Sequence, residues 1–407
     1  MAILEKELRR TPAADKRAYR LSAIDMMRGL VIVIMAIDHV RDNFFLNALQ
    51  DPTTDPNVTA GVFATRWITH FCAPVFVLLA GTSAGLMASR KSARELGRFL
   101  LLRGLWLIFV EMAIISTALT FAPRGIPDLG GQTAVVLQVI WVIGASMIVL
   151  SLLQRTGRRT CLVLGLAIVA GHNILDRYWP MTSMLDEKWP IWVSLHAQMA
   201  LRAGPFLFVF FYPLFAWIGV MLLGFGISGV FEWPPERRDR MLLVAGTAMT
   251  AAFLLLRVID GYGDPNHWQW QQSGLVATVI DFLNTTKYPP SIEFLLMTLG
   301  PAAMLCSVAD KITGTIKQVL VVFGRVPFAF YVAHFYLIHT LSVILGLVQG
   351  FRLDQMMTVS LFYPKGYGLG LAGVYAVWLL VIVILYPFCR WVAAVKARRR
   401  DWWLSYL

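Results

Sequence analysis

The first apolar stretch of the chain carries ionisable residues where hydrocarbon should exclude them. The segment SAIDMMRGLVIVIMAIDHVRDNFF carries Asp25, Arg28, Asp38 and His39. A charged side chain at the centre of a membrane helix costs roughly 3 kcal/mol or more, so it turns to the protein interior and marks a candidate site. At ~100° per residue, Arg28 and His39 fall ~20° apart around the helix axis, and Asp25 lies ~40° from His39. All three share one stripe. Along the axis Arg28 and His39 are separated by ~16 Å, so one helix offers a permanent cation near one water surface and a titratable base near the other. Histidine is suited to taking a proton from a hydroxyl or an amine. Taken singly, Asp25 and Arg28 also read as an i,i+3 ion pair at a helix entrance, and His39 as a satisfied buried histidine.

The elements that must hold these residues are membrane helices. Hydrophobic residues make up 57% of the 407 and charged residues only 15%, too few polar groups to cover a soluble globule. Apolar runs recur at 23–45, 62–88, 99–121, 133–153, 160–178, 206–229, 241–260, 291–308, 318–345 and 368–390, which predicts an all-α, polytopic membrane protein of about ten transmembrane helices. Basic residues gather in alternate connections, such as Arg90/Lys91/Arg94/Arg98 and Arg237/Arg238/Arg240, and at both termini. By the positive-inside rule both termini are then cytoplasmic, and the longer connections 46–61, 122–132, 179–205, 261–290 and 346–367 face outward. The expected organisation is a basic cytoplasmic tail over 1–20, one membrane domain over 21–390 and a second basic tail over 391–407. The opening residues lack the apolar core of a cleavable signal peptide, so the first helix is expected to be retained. The net charge of +12 is spent on orientation rather than on nucleic acid. Cys72, Cys161, Cys306 and Cys389 sit inside apolar runs without the spacing of disulfides or zinc sites and read as packing residues.

With the helices laid out, a second polar layer forms at the outer level. It contains His39, His70, Lys287, Tyr288, Ser291, Tyr331, His334 and His339. Tyr331 and His334, i and i+3, share a face, whereas His339 falls well around the helix. The run KYPPS offers Lys287 or a hydroxyl to stabilise a developing oxyanion, or is simply a helix start capped by Ser291. Glu111 and Gln138 stand inside helices and either join them or orient a histidine. Asp38 points ~100° away from His39 and reads as structural. The loops 179–205 and 261–290 are rich in Trp, including Trp179, Trp189, Trp192, Trp268 and Trp270, as a membrane-surface belt or a sugar-stacking lid. The closing DWWLSYL reads as an inner-surface anchor. The histidines lack carboxylate or cysteine partners at ligand spacing, so no metal is expected.

Arg28 and His39 with ten residues between them form the R-x10-H pattern of the transmembrane acyltransferases, including the acyltransferase-3 enzymes. The fuller text, RLSAIDMMRGLVIVIMAIDH followed by HFCAPVFVLLAGTSAG, more closely resembles the bacterial branch related to heparan-alpha-glucosaminide N-acetyltransferase. FFYPLFAWIGVMLLGFG, TTKYPPSIEFLLMTLGP and FGRVPFAFYVAHFYLIH are similar to that branch too, so the resemblance runs from Arg20 to about His339.

The resemblance implies transfer of an acyl group, usually acetyl, from cytoplasmic acyl-CoA (acetyl-CoA) to an outward-facing acceptor such as a sugar or glycan, by a multi-pass enzyme of the bacterial inner membrane. Arg28, Arg103 and Arg325, with Asp25 beside Arg28, would then seat the CoA phosphates at the inner level; snorkelling to lipid phosphates is the alternative for each arginine. His39 would act as base, with Lys287, Tyr331 and His334 in the catalytic layer and His70, Asp38, Tyr288, Ser291 and Glu111 behind it. The lysosomal relatives carry Asn where this chain has His39, and place their histidine in the loop that follows. Here no histidine occurs between His39 and His70, which favours direct transfer over a loop-borne acetyl-histidine. The reading from another class is a proton-coupled small-molecule transporter, for which paired broken helices in two halves would be the sign. Oligomerisation and the acceptor are not fixed by the sequence.

Overall fold

The computed structural model describes residues 11–46, 59–122, 125–399 and 401, with the backbone alone over 11–21. The first ten residues of the expected N-terminal tail, most of the loop 46–61 and the anchor WLSYL lie outside the described residues. Among the described residues, eight helices are long and apolar enough to cross a membrane. The chain is an all-α polytopic membrane protein with one small sheet.

At the centre stands α1 (Thr11–Phe44), an unbroken helix. It packs against α2 (Ala60–Thr69) and α3 (Cys72–Ala88) on one side. On the other it meets α11 (Thr315–Arg325), α12 (Pro327–Val348) and α13 (Leu371–Arg398). Between these in sequence come α4 (Ala93–Thr120), α5 (Val139–Leu153), α6 (Arg158–Gly171), α7 (Phe215–Ile227), α8 (Pro235–Ile259), α9 (Leu275–Leu283) and α10 (Ile292–Val308). Burial separates core from rim: 61% of the apolar windows of α5 and α7 is inside the protein, against 22% for α8 and 17% for α13. The last two therefore present most of their surface to lipid.

The contact of α1 with α11 sets the site at one end of the bundle. A Cβ placed on Gly29 would meet the carbonyl of Leu320, and one on Gly324 the carbonyl of Asp25. Small residues at such crossings let membrane helices approach until backbone meets backbone. Gly324→Ala should therefore destabilise the protein by about 1–3 kcal/mol, the usual cost of overpacking, and weaken whatever binds between Asp25 and Arg325. Thermal unfolding in detergent checks this. Gly171→Ala is the control expected to leave it unchanged, because nothing lies within 4 Å of a Cβ there.

Several expected spans change character. The runs 133–153 and 206–229 do not begin as helix: β1 (Thr133–Leu137) and β3 (Phe206–Phe210) pair in parallel, Thr133 opposite Phe206 and Leu137 opposite Phe210. β2 (Met199–Ala203) joins β3 antiparallel. TAVVL and FLFVF are β-branched and aromatic runs suited to a pleated, half-buried surface, and apolar content alone does not tell such a run from helix. The expected helix 318–345 is two, α11 and α12. Val326 adopts φ −133°, ψ 47°, and Pro327 opens α12, since proline cannot continue the helix before it. The span 62–88 is interrupted at His70–Phe71, and α4 carries a π-turn over Glu111–Ile115. α13 runs on to Arg398, so 391–398, expected as tail, is helix. All four cysteines are free and buried, and Cys72 Sγ donates to the Val31 carbonyl at 3.1 Å.

Candidate active site

Two cavities enter the bundle from opposite ends of α1. The first, of about 380 Å³, is lined by Asp25, Arg28, Arg103, Arg325 and Lys396 at its mouth and by apolar side chains such as Ile32, Met35, Phe76 and Ile140 deeper in. Asp25 ties two of the arginines together: Arg28 Nη1 lies 3.3 Å from its Oδ1 and Arg325 Nε 4.0 Å from its Oδ2. Arg28 also donates to the hydroxyl of Ser83 on α3. Exposure rises outward, from 22% for the Arg28 side chain to 63% for Arg325. The result is a cation-rimmed mouth over an apolar shaft. Charge-assisted donors in such numbers suit phosphate groups.

The second cavity, of about 340 Å³, lies under the sheet and is lined by Asp38, His39, Arg41, Arg66 and the aromatic side chains Phe211, Tyr212 and Tyr288. Asp38 is held at 2.5 Å by Arg66 on α2 and at 3.2 Å by Arg41 one turn along its own helix. Its carboxylate is thus committed to arginines rather than to His39. Arg41 spends Nη2 on Asp38 and on Asp42 at 2.6 Å, while its buried Nη1 has no hydrogen-bond partner among the described residues.

A partition about one helical turn thick separates the cavities, about 6 Å along α1 and α12. On α1, Met35 faces the first cavity and His39 the second; on α12, Tyr331 faces the first and Phe335 the second; where α5 begins, Val139 and Gln138 divide in the same way. Within the partition His39 Nδ1 lies 2.6 Å from His334 Nε2. The His39 ring stacks on Phe335, centroids 4.3 Å apart, and on His334 at 4.9 Å. His334 is fully buried, and its Nδ1 faces the carbonyls of Tyr331 at 2.5 Å and Phe330 at 3.2 Å. The Tyr331 hydroxyl is buried without a hydrogen-bond partner among the described residues.

The remaining candidates stand outside both cavities. Lys287 is 9% exposed, with Nζ 5.2 Å from the centre of the Tyr288 ring, and is within electrostatic reach of Asp38 and His39. His70 caps the end of α2 and packs against Phe294, centroids 5.3 Å apart. Ser291 caps α10 by accepting from Phe294 N and donates to Asp264 at 2.6 Å, which commits its hydroxyl. Glu111 accepts from Gln138 N at 3.0 Å, joining the π-turn of α4 to the start of α5. His339 is held by the carbonyls of Ala118 and Met356. The loop tryptophans line neither cavity; Trp268 donates to the carbonyl of Arg257 at 2.7 Å, inside a knot in which that arginine pairs with Glu293 at 3.2 Å. Among the described residues no group of three or more His, Cys, Asp or Glu is placed to hold a metal ion.

Lys396, Ser83, Arg41 and Arg66 join these cavities without having stood out in the sequence. Lys396 sat in an apparent tail and Ser83 in the apolar run 62–88; only the continuation of α13 and the crossing of α3 over α1 bring them in.

A comparison with curated proteins finds no match. The family model described as heparan-alpha-glucosaminide N-acetyltransferase, catalytic, matches residues 20–258, which takes in α1 from Arg20 through nearly all of α8 and leaves α9 to α13 beyond the match. Matched over more than half its length, the chain belongs to the heparan-alpha-glucosaminide N-acetyltransferase catalytic family, the family of a membrane acetyltransferase.

Proposed function

We propose that the protein moves an acetyl group from cytoplasmic acetyl-CoA to a hydroxyl or amine of a sugar or glycan on the outer face of a bacterial inner membrane. The observation that carries this reading is the meeting of a cation-rimmed cavity and an aromatic-walled cavity at His39 and His334. In it the chain is a single membrane domain with basic tails, crossing ten times when α1 and α10 are counted, with both termini inside. α1 falls outside a purely apolar criterion because of the charges the site needs, and α10 is 17 residues long.

Arg28, Arg103, Arg325 and Lys396 hold the phosphates, and the apolar shaft takes the pantetheine arm toward the partition. The acceptor enters beneath the sheet, its ring against Tyr212 and Tyr288, with Arg41 Nη1 available to an oxygen of the sugar. His39 takes the proton of the attacking hydroxyl or amine as the new bond to the thioester carbon forms. The Tyr331 hydroxyl, rather than Lys287, donates to the carbonyl oxygen as it gains charge. The carbon–sulfur bond then breaks, and the proton passes from His39 to the CoA thiolate, so free CoA leaves by the cavity it entered.

Arg28→Ala should weaken acetyl-CoA binding about 10- to 100-fold, the worth of a hydrogen bond from a charged group, with little change in kcat. Equilibrium binding of radiolabelled acetyl-CoA to the detergent-purified variant reads this. The reading itself is tested by offering labelled acetyl-CoA and a panel of amino and neutral sugars to the purified protein. Label on at least one sugar is expected. Label on none, together with proton-driven uptake of a solute into proteoliposomes, would replace it with a transporter.

A further inference from the structure

Resting on that reading, we infer that His334 is a positioning residue: it fixes the tautomer of His39, so that Nε2 of His39, not Nδ1, is the atom that accepts the proton. One chain of hydrogen bonds runs from the interior of α12 to the outer cavity. His334 Nδ1 faces two backbone carbonyls, of Tyr331 at 2.5 Å and of Phe330 at 3.2 Å. A carbonyl oxygen only accepts, so this nitrogen carries hydrogen. A neutral imidazole has a single N–H, which leaves Nε2 of His334 with its lone pair. That lone pair lies 2.6 Å from His39 Nδ1, and two lone pairs cannot face one another at that distance. His39 Nδ1 must therefore donate, and the free lone pair of His39 is at Nε2.

The one arrangement that reverses this is a doubly protonated His334, which would donate from Nε2 and leave His39 with hydrogen on Nε2 and nothing to accept with. The surroundings of His334 oppose it. The residue is fully buried, its ring neighbours are Phe330, Tyr331 and Phe335, and no carboxylate pairs with it among the described residues. An unpaired buried cation is costly. In water a histidine side chain prefers hydrogen on Nε2, so the tautomer that works here has to be imposed, and the α12 backbone imposes it through His334. In many active sites a carboxylate orients the base; here Asp38 is taken up by Arg41 and Arg66, and a neutral histidine serves instead.

Two variants of nearly equal length separate positioning from packing. His334→Gln places an amide oxygen near the position of Nε2 and can still accept from His39 Nδ1; His334→Met fills the same space without an acceptor. The glutamine variant is expected to keep kcat within about tenfold of the parent, and the methionine variant to lose about 10²-fold or more, both binding acetyl-CoA as the parent does. Nitrogen-15 NMR of histidine-labelled protein, with the His39 signals assigned by their loss in His39→Gln, should show His39 protonated at Nδ1 and bare at Nε2. Equal activity in the glutamine and methionine variants, or a His39 signal with hydrogen on Nε2, overturns the inference. The NMR result does not depend on turnover. The expected tautomer in a protein that transfers no acetyl group would leave the hydrogen-bond chain standing and sink the acetyltransferase reading alone.

Discussion

His39→Ala should abolish acetyl transfer while leaving acetyl-CoA binding intact. General-base catalysis by a positioned histidine is worth about 10²–10⁴ in rate, so kcat is expected to fall by that factor. Binding should survive, because the proposed donor site, at Arg28 and its neighbours, lies at the other end of an unbroken helix, ~16 Å from His39. The substitution also removes the ring stacked on Phe335 and leaves His334 Nε2 without its partner. A buried polar group left unpaired costs about 1–3 kcal/mol, so the variant should melt earlier but remain folded. Initial rates, acetyl-CoA binding and a melting curve on one preparation check all three. Full activity in the alanine variant would remove His39 from the reaction.

The second large effect is expected at Tyr331. Its side chain lines the first cavity, and its buried hydroxyl has no hydrogen-bond partner among the described residues. Such a group costs the folded protein stability, which is unusual unless a bound molecule completes the bond. Tyr331→Phe removes the unsatisfied hydroxyl and should leave stability equal or slightly improved. Loss of one oxyanion donor lowers kcat by about 10²–10³, with the KM for acetyl-CoA nearly unchanged. The opposed signs are the signature: an ordinary core tyrosine would lose stability and keep its rate. A kcat within twofold of the parent, measured beside the melting temperature, would return the oxyanion role to Lys287 or to the backbone.

What the sequence made legible was whatever one helix decides alone. Arg28 and His39 share a stripe because of helix geometry, and that stripe is half-buried among apolar residues. Arg103 and Arg325 were legible by depth alone, and both line the cavity with Arg28. What the sequence left hidden depends on contacts between distant segments. His334 lies 2.6 Å from His39 across 295 positions, and nothing local announces that distance. Arg66 falls inside the expected span 62–88 with nothing local to name its partner, and only the fold shows its guanidinium closing on Asp38. The strands TAVVL and FLFVF were hidden for another reason: membrane-like apolarity masks the alternation that marks a strand in a soluble protein. Pro327 was a local signal, a helix start in the middle of an apolar run, and it breaks the expected span where its missing N–H requires.

The break matters because it lets α11 turn against α1. Gly324 comes to rest on the backbone at Asp25, and Arg325 joins Arg28 around one carboxylate. Beyond it α12 starts afresh, carrying Tyr331 and His334 into the partition. A continuous helix from 318 to 345 would have tied those two layers to one rotational phase.

In the proposed reaction one acetyl group passes between two cavities that open on opposite sides of the membrane. This transfer is tested most directly in sealed proteoliposomes of one orientation, with labelled acetyl-CoA supplied only at the Arg28 end and an amino sugar accepted by the purified protein trapped only at the His39 end. Label is expected on the trapped sugar, lost in His39→Ala, with free CoA appearing on the side where acetyl-CoA was added. Labelling that requires donor and acceptor on the same side of the membrane would contradict it.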